Sequence, residues 1–123
     1  MPKKILLVDD SKTALMMERA LLEKHTSYQC VTAADGQEAV EKANQECPDL
    51  ILMDVVMPRM NGFEACQKMR QQPSTREITI VLVTTRGEES YMDAGFQSGC
   101  NDYITKPVNG TELVALLQSY LGE

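Results

Sequence analysis

Short apolar runs without alternation recur along this chain and constrain its fold more than any other feature. They are "KILLV" (Lys4 to Val8), "LILM" (Leu50 to Met53) and "TIVLV" (Thr79 to Val83), with weaker runs "CVTAA" (Cys30 to Ala34) and "DYIT" (Asp102 to Thr105). A strand wet on one face alternates apolar with polar residues, whereas a strand buried on both faces does not. Between the runs the pattern switches to helical spacing. Ala14, Met17 and Leu21 share one face from Lys12 to Lys24, with Leu15 and Leu22 beside them. A helix bearing Ala39, Val40 and Ala43 follows "ADG", and Phe63, Cys66 and Met69 mark another from Gly62 onward. Ser90 to Gln97 is a poor amphipath, read as a helix, and Leu113, Leu116, Leu117, Tyr120 and Leu121 form the last stripe. Five β–α units in series predict a parallel sheet with helices on both faces. The 123 residues suit one domain and contain no repeat or linker, so residues 1–123 are read as a single domain.

Composition excludes several functions. A net charge of −6 argues against nucleic acid, which needs a basic face. The apolar runs are too short for a signal segment or a membrane span. Cys30, Cys47, Cys66 and Cys100 form no C-x-x-C and are read as reduced interior thiols, which fits a cytoplasmic location. The single histidine, His25, is expected to face solvent at the end of the first helix. The methionines are expected to fill core space, with Met16, Met17 and Met92 as alternatives on a contact surface.

In parallel sheets of this kind, ligands bind outside the carboxyl ends of the strands. The first strand leads into Asp9 and Asp10, the third into Asp54, the fourth into Thr84 and Thr85, and the fifth through Thr105 into Lys106 and Pro107. Singly, each has a structural reading: Asp10 or Thr84 as a helix cap, Lys106 as a solvated charge. Together they predict three carboxylates, a hydroxyl and an ammonium on one sheet edge. Clustered carboxylates repel unless a cation joins them, and an oxygen-only donor set favours Mg2+. A divalent ion with a lysine beside a free carboxylate suits phosphoryl chemistry, with Asp54 as nucleophile between Asp10 and Lys106.

The stretches "LLVDDS", "LILMDVVMPRMNG", "VLVTT" and "GCNDYITKPV" together resemble the receiver domain of two-component response regulators, including the stand-alone chemotaxis type. The likeness runs from about Lys3 to Leu121. It implies a flavodoxin-like sheet in the order 2-1-3-4-5. It also implies that Asp54 accepts a phosphoryl group from a sensor histidine kinase. Asp10, Asp54 and the backbone carbonyl of Val56 would ligate Mg2+, while Asp9 holds a metal-bound water. Thr84 and Lys106 would bind phosphoryl oxygens, Tyr103 would be the switch aromatic, and the bond before Pro107 would be cis. Met57-Pro58 and Asn61-Gly62 then form the turn that leads away from Asp54.

The expected protein is a monomeric switch that catalyses only its own phosphorylation and dephosphorylation and is otherwise no enzyme. It touches neither nucleic acid nor membrane, and no output domain is expected after the last helix. Its output would come from docking an unidentified protein through the predicted helix at 90–97, the fifth strand and the last helix, or from draining phosphoryl groups off a kinase. A receiver-like module that works without phosphate is disfavoured by the full residue set. A magnesium phosphohydrolase is disfavoured by the lack of a D-x-D around Asp54 and of a cap insertion. Val56, Arg86 and the bulk of Thr85 are expected to control access of water to the phosphoryl group.

Overall fold

A computed structural model describes residues 2–85 and 96–122. Its elements are β1 (Lys4–Val8), α1 (Lys12–His25), β2 (Gln29–Ala33), α2 (Gly36–Glu46), β3 (Leu50–Asp54), α3 (Gly62–Arg70), β4 (Thr79–Thr85), β5 (Asp102–Lys106) and α4 (Gly110–Leu121). The helix expected at Ser90 to Gln97 falls mostly outside the described residues, although Phe96, Gln97 and Ser98 are helical. Arg86, Met92 and the side chain of Thr85 also lie outside them.

The five strands are all parallel, in the order β2-β1-β3-β4-β5. Their apolar runs serve two cores at once, since successive side chains point to opposite faces. Leu6, Val8, Ile51, Met53, Ile80 and Leu82 pack on one side with Ala39, Val40, Ala43 and Met69. Ile5, Leu7, Leu50, Leu52, Val81 and Val83 pack on the other with Leu22, Leu113 and Leu117. The missing alternation in the sequence therefore reports helices on both faces.

Each helix opens on a polar cap that satisfies an otherwise unpaired backbone N–H. Ser11 accepts from the Ala14 amide, Asp35 from Glu38, Asn61 from Glu64 and Asn109 from Glu112. Glu64 returns a bond from the Asn61 amide and completes a capping box. Because Ser11 caps α1, Asp10 is not needed as a cap.

Three expectations change. Met17 was placed on the inner stripe of α1, but it is exposed, and the residues buried there are Glu18 and Leu22. Cys47 was expected inside; it is exposed at the C-cap of α2, in the left-handed region at φ 49°. Third, β5 continues through Lys106, one residue past its expected end, whereas β3 ends on Asp54 as expected; both site residues belong to strands. His25 ends α1 and faces solvent as expected.

Candidate functional site

The site lies where β1, β3, β4 and β5 end. Register brings its parts level: Asp54 pairs with Val83, Thr84 with Thr105, and Thr85 with Lys106. The Asp9 amide bonds the Ala33 carbonyl at 3.2 Å, and the Val55 amide bonds the Val83 carbonyl at 3.1 Å, so the ladder holds both acids in place. Asp9 and Asp54 are almost wholly buried, whereas Asp10 is exposed. One oxygen from each of the three lies within 4.8 Å of the other two.

Lys106 supplies the opposing charge. Its Nζ lies 3.1 Å from Asp54 Oδ2 and 3.3 Å from Asp9 Oδ2. The peptide that follows, Lys106-Pro107, is cis. Lys106 thus bridges Asp9 and Asp54, while Asp10 has no ion pair among the described residues. Asp9 Oδ1 also accepts the Ser11 amide at 2.9 Å, which links the site to the start of α1. Burial pushes the Asp54 carboxyl above the usual range, and Asp9 adds to this, against the pull of Lys106. Burial works against the Lys106 charge, but Asp54 and Asp9 outweigh it and raise its pKa.

The turn after Asp54 is tightly built. Gly62 donates to the Val55 carbonyl at 2.8 Å, and a Cβ on Gly62 would meet the Asp54 carbonyl oxygen at 2.6 Å. Only glycine lets α3 begin so close to the site. Within this turn Val56 is 58% exposed, directly beyond the acid, while Val55 and Met57 are buried. Thr84 is buried at the same edge, one step past the level of Asp54. Tyr103 lies back near the start of β5, half-buried, with its ring 6.1 Å from that of Phe96 in an edge-on contact.

Glu18 was not anticipated. It is 8% exposed on α1 and close enough to feel Asp9, Lys106 and Asp54. Burial first, then Asp9, push its carboxyl up to about 7. The signal was present in the sequence, because Ala14, Glu18 and Leu22 are spaced four apart and share a face.

Three clustered oxygens, two of them on buried acids, with no nitrogen or sulfur donor, fit a hard divalent cation. Receiver domains bind Mg2+ in such an acidic site. The family model for the response regulator receiver domain matches residues 5–118. The chain belongs to this family, whose members are signalling switches phosphorylated by sensor histidine kinases. It is 40% identical to protein PilH of Pseudomonas aeruginosa over 96% of this chain and 97% of that protein. It is 39% identical to the alkaline phosphatase synthesis transcriptional regulatory protein PhoP of Bacillus subtilis, but spans only 49% of that protein's length. Among solved structures it matches the receiver domain of the P. aeruginosa sensor histidine kinase PA1611, which has magnesium coordinated in its active site cleft. That match has a TM-score of 0.90 at 32% identity and covers 100% of both chains. It also matches the chemotaxis response regulator CheY4 of Vibrio cholerae, with a TM-score of 0.90 at 34% identity over 98% of this chain and 99% of that one. Among the described residues, no helix is long and apolar enough to cross a membrane.

Proposed function

We propose that this chain is a single-domain response regulator that takes a phosphoryl group from a kinase phosphohistidine onto Asp54, in a Mg2+-dependent reaction. The observation that carries this reading is the Lys106 ammonium, 3.1 Å from Asp54 and 3.3 Å from Asp9, beside a third carboxylate. Asp54 offers a carboxylate oxygen to the phosphorus; the P–N bond breaks and its electron pair stays on the imidazole. Lys106 then exchanges its Asp54 contact for a phosphoryl oxygen, and the Thr84 hydroxyl donates to another. Asp10, Asp54 and the Val56 carbonyl would hold Mg2+, with Asp9 binding one of its waters. When bound, the ion supplies the charge that lets a phosphoryl dianion approach two buried acids.

Thr84 moves inward to reach the phosphoryl group and frees space for the Tyr103 ring, so the surface of β5, α4 and the segment before β5 differs between states. The likeness to CheY4 supports chemotaxis as the setting, with the protein a cytoplasmic monomer that acts through a docked partner. Incubation with a small phosphodonor and Mg2+ is expected to add one phosphoryl group by intact mass, and none to Asp54→Ala. Equal labelling of that variant, or labelling in EDTA, overturns the reading.

A further inference from the structure

Lys106 carries the ammonium of the phosphoryl site, and its two sides differ. On the strand side its Nζ lies 3.1 Å from Asp54 and 3.3 Å from Asp9. On the other side, between α1 and the turn after β5, lies an open cavity of about 430 Å³. Lys106 and Glu18 line this cavity together, with Ala14, Met17, Leu21 and Pro107 among its walls. Glu18 is 8% exposed, although Ala14 and Leu22, which share its face of α1, are apolar and Leu22 is fully buried. Burying a carboxyl there costs free energy that an apolar side chain would avoid, and a nearby cation offsets it. Lys106 is such a cation: it attracts the Glu18 carboxyl, whereas Asp9 and Asp54 repel it. The pull of Lys106 exceeds the push of Asp54, as expected for an ammonium nearer to Glu18 than the nucleophile is.

An ammonium has three N–H donors, and Asp9 and Asp54 accept two of them. The lysine stem is flexible and its side chain is 32% exposed, so the head can shift between the strand ends and the cavity. When a phosphoryl group reaches Asp54, Lys106 has to serve one of its oxygens, and Glu18 competes for the same charge. We propose that Glu18 is a positioning residue for Lys106: it draws the ammonium toward α1 and so restrains phosphorylation of Asp54. This inference rests on the phosphotransfer reading above. Glu18 acts through the lysine and not on the phosphorus.

Two measurements on the full chain at pH 8 test this. The first needs no phosphodonor. With 15N-labelled lysine, and Lys106→Ala to assign the signal, the Lys106 ammonium resonance is expected to move in Glu18→Gln and in Glu18→Leu. The glutamine is nearly isosteric and the leucine suits the apolar walls, so a folding defect in one variant leaves the other. The second measurement follows phosphorylation by a small anionic phosphodonor with Mg2+, read as intact mass against time. Both variants are expected to be labelled about three- to tenfold faster than the wild type, the scale of coupling between neighbouring charged groups. An unmoved ammonium signal, or labelling no faster than the wild type, overturns the proposal. A gain that persists in the Lys106→Ala background overturns it too, because simple repulsion of the donor by Glu18 needs no lysine. Equal labelling of Asp54→Ala overturns the phosphotransfer reading instead, and the ammonium signal alone then decides whether Glu18 engages Lys106.

Discussion

At the scale of single residues, a carboxyl group can be placed where its proton matters. Glu18 is buried beside Asp9, and its pKa rises from 4.5 to about 7. In the folded state it holds its proton more tightly than in the unfolded chain. Its contribution to stability is therefore complete below pH 4.5 and is lost as the pH rises through about 7. The upper limit of that loss is about 3 kcal/mol, at ~1.4 kcal/mol per pH unit. Chemical denaturation in EDTA is expected to show wild-type stability falling across this window, whereas Glu18→Leu falls less, since only Asp54 still holds a raised carboxyl there, and is the more stable protein at pH 8. Parallel pH profiles for the two proteins would mean that Glu18 is not the group responsible. The residue types of the site were legible because an acid closing an apolar run is conspicuous. Glu18 was passed over because a charged residue in a helix is ordinarily solvated, and only its spacing from Ala14 and Leu22 says otherwise.

At the scale of elements, α3 and β5 are held by contacts that admit little change. Gly62 starts α3 against the Asp54 carbonyl. Gly62→Ala is expected to destabilise the protein by about 1–3 kcal/mol, through overpacking against backbone. It should also slow phosphorylation by displacing Asp54, which intact-mass time courses would reveal; wild-type rates would show that the turn yields without moving the acid. At the other end of α3, Arg70 works as a clamp. Its guanidinium donates to the carbonyls of Gly99, Arg76 and Ile78 at 2.9, 2.9 and 2.7 Å, and to Asn101 Oδ1 at 2.8 Å. It ties α3 to the start of β4 and to the approach to β5. A lysine cannot reproduce this fork of donors. Arg70→Lys is expected to be destabilised by about 1–3 kcal/mol in urea unfolding, nearly as much as Arg70→Ala, since part-buried carbonyls lose charged donors in both. The short apolar runs located every strand, and the end of β3 at Asp54, but not the end of β5, which continues through Lys106 because β4 supplies the ladder there. The same reasoning placed Met17 inside, where the observed packing selects Glu18.

At the scale of the whole molecule, three acids drawn to one edge store repulsion that a divalent ion relieves. Mg2+ is expected to raise the unfolding temperature, with a stabilisation of about 2.7 kcal/mol at a hundredfold excess over its Kd. Asp10→Asn is expected to lose most of that gain while keeping its fold, because Asp10 is exposed and has no ion pair among the described residues. Calorimetry with and without the ion checks this, and an undiminished gain in the variant would remove Asp10 from the ligand set. The sequence by itself determined the architecture. Runs buried on both faces require helices on both sides, and five β–α units in series leave a parallel sheet with its strand ends on one edge. It determined the chemical character of that edge too, since Asp9, Asp10, Asp54, Thr84 and Lys106 each follow or close a strand. The tertiary structure alone decided which of these groups touch. Lys106 bridges Asp9 and Asp54 and, among the described residues, leaves Asp10 without an ion pair, while Glu18 lies buried on α1 within the field of all three. Periodicity specifies the face a side chain points to, but contact between elements depends on register and helix rotation, which arise only when the layers pack.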